Sequence, residues 1–160
     1  MDIRVGQGVD IHRFAEGRRC VLGGVEIPHK VGLLGHSDAD VLIHALMDAI
    51  LGASGQRDIG YLFPDTDTAF KDADSCVLLK RVWDLTRKDG WTINNADISL
   101  LAEAPRIKPY VTQMQARIAE VLGCEPARIT IKATTTEKLG FVGREEGIVA
   151  MAVVLISRPS

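Results

Sequence analysis

The sequence predicts an α+β fold in which a mixed sheet of about four strands carries three helices on one face. Three observations lead there. β-Branched residues alternate with small or polar ones near the amino terminus. Three longer segments repeat apolar residues at every third or fourth position. The chain also closes on an almost unbroken aliphatic run. Taken in order these give β-β-α-α-β-α-β-β, with the helices returning to one side of the sheet.

Residues 3–10 alternate as a strand does, and residues 21–27 repeat the style around Gly23 and Gly24, so the two are expected to pair as a first hairpin. Ser37 followed by Asp40 resembles a helix-start box, and helical periodicity then runs to Gly52. A second helix is predicted within "DADSCVLLKRVWDLTRKDG", with Val77, Leu78, Val82 and Leu85 on one side and Gly90 as its stop. "ADISLLAE" predicts a strand, and "YVTQMQARIAEVLG" a third helix ended by Gly123. "RITIKA" and "GIVAMAVVLI" predict the closing strands, the last so apolar that both faces should be covered. "GFVGREEG" resembles a glycine-marked hairpin turn.

The 160 residues, 46% of them hydrophobic, suit one domain spanning 1–160, without repeat or linker. The strands hold too many aliphatic residues for a solvated face. Association through the sheet in a symmetric oligomer covers it; a small curled barrel is the alternative. A net charge of -2 with scattered basic residues speaks against nucleic-acid partners. No apolar run reaches the roughly 20 residues of a membrane span, and "MDIRVGQGVD" lacks the blocks of a signal peptide. Cys20, Cys76 and Cys124 form no CxxC pair, which fits a reducing, cytoplasmic compartment.

Chemistry enters with "HSDADVLIHALMDAILGA". Asp40, His44 and Asp48 form one narrow helical stripe, and no Lys, Arg or Glu occurs between Val41 and Leu51. Such a stripe should face an enclosed site and not water. In "GVDIHRF", Asp10 and His12 are two apart and leave one face of a strand. With His44 they make a two-histidine, one-carboxylate set that suits Zn²⁺ and leaves a fourth position open. Asp48 could then accept from an imidazole and fix its tautomer, and Asp40 could orient the same stripe. The plainer reading is that both histidines are only hydrogen-bonded and half-buried.

After "RITIKA" comes "TTTEKLGF", whose hydroxyls and backbone N–H groups suit phosphate oxygens, with Glu137 available to a hard divalent cation. A capping box of Thr134 with Glu137 is the plainer reading, but it leaves Thr135 and Thr136 unexplained. "DIGYLFPDTD" sets Asp58, Asp65 and Asp67 in a turn-rich segment, either solvated or accepting from ligand hydroxyls. "AEAPRIKPY" is a rigid connection that could offer backbone groups to a base edge.

Together "GVDIHRF", "LLGHSDADVLIHALMDAILGA", "DIGYLFPDTD", "DADS", "AEAPRIKPY" and "IKATTTEKLGFVGREEGI" resemble the 2-C-methyl-D-erythritol 2,4-cyclodiphosphate synthase family over almost the whole chain, in order. The resemblance implies a homotrimer with active sites between subunits, in the non-mevalonate isoprenoid pathway. It implies a cytidine diphosphate-linked substrate whose 2-phosphate attacks the β-phosphorus intramolecularly and expels CMP. Asp10, His12 and His44 would hold zinc, whose fourth position a diphosphate oxygen takes. Glu137 and the substrate diphosphate would hold Mg²⁺ or Mn²⁺, with Thr135 and His36 supporting the charge at phosphorus and Ser37 facing phosphate. Asp58, Ile59, Gly60, Phe63, Pro64, Asp65, Thr66 and Asp67 would bind the erythritol part. Ala102, Glu103, Ala104, Pro105, Arg106, Ile107 and Lys108, with Thr134, Thr135, Thr136 and Glu137, would bind the cytidine end. Phe141 and Arg144 would line a cavity on the trimer axis that accepts an isoprenoid diphosphate. A metal-dependent phosphohydrolase and a non-catalytic nucleotide-binding trimer are the rival functions.

Overall fold

A computed structural model describes all residues 1–160. Its elements run β1 (Asp2–Ala15), β2 (Cys20–Leu22), β3 (Val25–Ile27), β4 (Gly32–Leu33), α1 (Val41–Ala53), α2 (Ile59–Leu62), α3 (Ser75–Lys88), β5 (Thr92–Leu101), α4 (Val111–Leu122), β6 (Ile129–Thr134), α5 (Gly140–Gly143) and β7 (Gly147–Arg158). The main sheet has five strands in the order β4-β1-β7-β5-β6, all antiparallel except the β5–β6 pair. Four of them are the long strands expected. β4 contributes only two residues, too few for any periodicity to betray.

The expected first hairpin is not formed. β1 pairs with β4 and β7, while residues 20–27 fold on themselves as β2 and β3. Gly23 and Gly24, with φ of 60° and 73°, are the two-residue turn between them and not an interruption. The first long helix also starts later than Ser37. Asp40 is its N-cap, accepting from the Ile43 N–H at 3.1 Å. "GFVGREEG" forms one helical turn, α5, before β7 and not a hairpin.

Helix α1 is buried at 11 of its 13 residues because β1 and β7 cover one side and α3 the other. Each fully buried Leu or Ile there contributes roughly 1.5–3 kcal/mol. α4 packs on α3 and β6, so all three long helices lie on one face. α1 can approach the sheet closely because Gly6 and Gly8 of β1 have no side chain. A Cβ at these positions would stand 1.9 Å from the Ala49 carbonyl oxygen and 2.0 Å from that of Ala45. The opposite sheet face is apolar and open: Ile3, Val5, Val9 and Ile11 of β1 are exposed beside Met151 and Val153 of β7. No helix is long and apolar enough to cross a membrane.

Candidate metal and phosphate site

The contact between β1 and α1 brings the predicted ligands together. Asp10 and His12 leave β1 on its helix side, and His44 meets them from the end of the first turn of α1. Asp10 Oδ2 lies 2.9 Å from His12 Nε2 and 3.2 Å from His44 Nδ1, and the two ring nitrogens are 3.2 Å apart. Ligands about 2.0–2.1 Å from a tetrahedral zinc stand about 3.3–3.4 Å from one another, so the triangle has nearly the right size.

Partners outside the triangle fix which atoms carry lone pairs. His12 Nδ1 donates to the Leu34 carbonyl at 2.7 Å, which leaves Nε2 as the acceptor. Ser75 Oγ donates to Asp38 Oδ1 at 2.5 Å and so accepts from His44 Nε2 at 3.0 Å, with Ser37 Oγ at 3.1 Å. That leaves His44 Nδ1 as an acceptor too. Asp10 Oδ2 is buried and lacks a well-formed hydrogen bond. Three lone pairs thus converge on one point, an arrangement that a divalent cation satisfies and a hydrogen-bond network does not. Burial opposes ionisation of Asp10, yet the adjacent imidazoles of His12 and His44 hold its carboxyl well below the usual carboxylate range. Burial likewise opposes protonation of His12, but Asp10 and the Leu34 carbonyl raise its pKa above the ordinary 6.5.

Asp40 and Asp48, expected to orient an imidazole, serve the backbone. Asp40 accepts from Gly23 N–H (3.0 Å), Gly24 N–H (2.7 Å) and Ile43 N–H, tying the β2–β3 turn to α1. Burial and the charge of Asp38 push its carboxyl up to about 7, against the pull of those donors. Asp48 accepts from Ile59 N–H at 2.9 Å, anchoring α2. The helical stripe was real, but only its histidine faces the cavity. The imidazole is oriented by Ser75 and Asp38. Ser75 lies 31 residues away in sequence, and only the fold reveals the link.

A cavity of about 240 Å³ opens beside the triangle, lined by Gly35, His36, Ser37, Met47, Ile59, Gly60, Phe63, Asp65, Phe70 and Leu78. Asp58, Pro64, Thr66 and Asp67 do not line it. Asp58 caps α2 by accepting from Tyr61 N–H, and Asp67 accepts from Ala69 N–H while its carbonyl stands 3.0 Å from His36 Nε2. Met47, Phe70 and Leu78 were not anticipated, because apolar residues at helical spacing read as core.

The second predicted group lies elsewhere. Ala102, Glu103, Pro105, Arg106, Ile107 and Lys108 enclose a separate cavity of about 270 Å³ with Thr134 and Thr135. Ala104, Thr136 and Glu137 do not line it. Glu103 braces the threonine turn: it accepts from Thr136 N–H at 3.2 Å and Lys138 N–H at 3.1 Å, and pairs with the Lys138 ammonium at 3.2 Å. The Lys138 N–H and ammonium hold its carboxyl below the ordinary range. No capping box of Thr134 with Glu137 forms. Glu137 N–H bonds instead to Thr135 Oγ1 at 3.3 Å, and Glu137 and Lys138 take left-handed φ values of 53° and 65°. Arg144 pairs with Glu146 at 3.2 Å beside a third cavity containing His29 and Lys30, and Phe141 is exposed on α5.

Both main cavities open at the same end of the sheet. His12 is opposite Ile148, and Leu101 is opposite Val149 on one side and Thr134 on the other. His12 on β1 and Thr134 on β6 are nevertheless separated by three strand spacings, about 14 Å.

The sequence pattern of the YgbB family matches residues 3–157. The 2-C-methyl-D-erythritol 2,4-cyclodiphosphate synthase of Listeria monocytogenes serotype 4b is 56% identical over 156 residues, 98% of this chain and 99% of that protein. The synthase of the same name from Halalkalibacterium halodurans is 58% identical over 154 residues, 96% of this chain and 98% of the other. Among solved structures, the bifunctional IspDF of Campylobacter jejuni superposes with a TM-score of 0.95 at 47% identity, and the match covers 99% of this chain but 43% of that longer one. IspF of Plasmodium falciparum, in complex with CDP, superposes with a TM-score of 0.86 at 36% identity, covering 99% and 97%.

Proposed function

The chain belongs to the YgbB family, and from that premise we propose that the cavity beside Asp10, His12 and His44 and the cavity enclosed by residues 102–108 are the halves of one cyclodiphosphate synthase site. The reaction converts 4-diphosphocytidyl-2-C-methyl-D-erythritol 2-phosphate into 2-C-methyl-D-erythritol 2,4-cyclodiphosphate and CMP, a step in making isoprenoid precursors. The observation that carries the assignment to this site is the convergence of three lone pairs, on Asp10, His12 and His44, beside a cavity that His36 and Ser37 line.

An oxygen of the substrate's 2-phosphate bonds to the β-phosphorus. The bond from that phosphorus to the bridging oxygen breaks, and CMP leaves with the oxygen and its electron pair. Nucleophile and electrophile share one molecule, so the protein supplies neither. Its task is to fold a flexible substrate into the attack geometry, which can be worth roughly 7–11 kcal/mol. Zinc held by Asp10, His12 and His44, and a magnesium or manganese ion near Glu137, would neutralise phosphoryl oxygens and make the phosphorus more electrophilic. Ile59, Gly60, Phe63 and Asp65 would seat the erythritol part. Residues 102–108 would receive the cytidine end, with Thr135 donating its hydroxyl to the diphosphate.

The half-sites lie too far apart across one sheet for the reacting groups of one substrate, so a neighbouring copy would complete each site. The apolar face of β1 and β7 would bury itself in that assembly, a homotrimer with active sites between subunits. Phe141 and Arg144 would then approach the trimer axis, where an isoprenoid diphosphate could bind. The enzyme would be classed as a phosphorus–oxygen lyase working in the cytoplasm.

Chromatographic product analysis with the synthetic substrate tests this reading. One CMP per substrate consumed, without inorganic phosphate, is expected. Inorganic phosphate in place of the cyclic product would identify a phosphohydrolase. Cytidine nucleotide binding without turnover would identify a binding module.

A further inference from the structure

The segment between β4 and α1 carries His36 and Ser37 to the mouth of the metal cavity without regular structure of its own. Its carbonyls are held from outside. Arg18 donates from Nε to the Leu33 carbonyl at 3.0 Å, and from Nη2 to the carbonyls of Gly35 at 3.2 Å and Ser37 at 2.6 Å. The carbonyl of His36 accepts from Asp72 N–H at 2.8 Å, and Asp72 Oδ1 is 3.5 Å from Arg18 Nη1. The N–H groups of Gly35, His36 and Ser37 find no acceptor within the chain, while these residues line the cavity beside Asp10, His12 and His44. Consecutive unpaired N–H groups form a receptor for anionic oxygens only while their backbone stays fixed.

We propose that Arg18 is a positioning residue for the reaction: its guanidinium gathers the carbonyls of this loop and thereby holds His36 and the loop's N–H groups toward the phosphoryl oxygens of the substrate. A planar fork that bonds three carbonyls at once is specific to arginine. Lysine keeps the charge but presents a compact ammonium that cannot reproduce the fork. Arg18 touches no metal ligand, and Leu34, which orients His12, is held separately by its N–H to the Arg13 carbonyl at 2.9 Å. Loss of Arg18 should therefore loosen the phosphoryl subsite and leave the metal triangle in place.

The inference rests on the cyclisation reading, whose failure would show as a wild-type protein that releases no CMP. The loop's role is read separately, without turnover, by titrating zinc-loaded wild type, Arg18→Lys and Arg18→Ala with inorganic diphosphate in a calorimeter. Diphosphate binding should weaken at least tenfold in both variants at unchanged zinc content. Steady-state assays should show KM raised by a similar factor, and added methylguanidinium should restore Arg18→Ala but not Arg18→Lys. Diphosphate affinity within twofold of wild type would overturn the proposal. So would weakened binding that tracks a lowered Tm and is not rescued by methylguanidinium, because that would make Arg18 a purely structural residue.

Discussion

Ser75 is fully buried, and its hydroxyl links the imidazole of His44 to the carboxylate of Asp38. Removing the hydroxyl leaves Nε2 of His44 without its strongest acceptor and frees the ring to change tautomer. Ser75→Ala should weaken zinc binding ten- to a hundredfold with the fold retained; competition against a chromophoric chelator reads it, and unchanged affinity would remove Ser75 from this role. His12 sets the pH response. Its pKa is raised in the fold by Asp10, so a proton competes with the metal at every pH below that raised value. Zinc affinity should climb about tenfold per pH unit as pH rises toward that value and level above it. In the metal-free protein the sign reverses: stabilisation from the His12–Asp10 pair is complete below 6.5 and is lost as pH rises through the folded pKa. Chelator competition and thermal melts across pH 6 to 9 check both halves. At this scale the grouping of Asp10, His12 and His44, which could hold a metal ion, was legible because these residues obey strand and helix periods. Their supports were not, since the carbonyl of Leu34 and the hydroxyl of Ser75 reach them only through tertiary contact.

The decisive element contact is the crossing of α1 over β1. Gly6 and Gly8 let the helix backbone rest directly on the strand, and that approach brings His44 within 3.2 Å of Asp10. Gly8→Val would place a branched side chain where the Ala45 carbonyl already stands 2.0 Å from an ideal Cβ. Overpacking of a well-filled core costs typically 1–3 kcal/mol, and a clash with helix backbone belongs at the upper end. Guanidinium unfolding should show that loss together with loss of zinc from the folded protein; full zinc occupancy at wild-type stability would refute the role given to this contact. Long periodic elements were readable: the three helices and four long strands all occur near their expected places. The misread ones are short. Residues 20–27 hold only two strands of three residues, and the Gly-Gly turn between them resembles an interruption until both φ values are seen to be positive. "GFVGREEG" offers three glycines to a turn, but Gly143 N–H bonds to the Leu139 carbonyl at 3.0 Å and winds it as a helix.

At the scale of the whole molecule, an apolar sheet face and two separate cavities need one explanation. Ile3 and Val5 are 57% and 66% exposed on a strand whose other face is core, a degree of exposure that single surface residues tolerate but a whole strand face does not. Burying that face against copies of itself would also bring the metal half of one chain to the nucleotide half of the next. The need for a covered face was legible in the uniform hydrophobicity of the strands. The separation of the two cavities was not legible from spacing, because sequence order does not reveal that β7 and β5 lie between His12 and Thr134. Mixing subunits tests the shared site most directly. His44→Ala disables the metal half, and Thr135→Ala combined with Glu137→Ala disables the nucleotide half, so each variant alone should be inactive. After co-refolding in equal amounts, about a quarter of the sites in a cyclic assembly should combine two intact halves, and about a quarter of wild-type CMP release should return. A mixture as inactive as its components would mean that each chain holds a complete site, and would contradict the account.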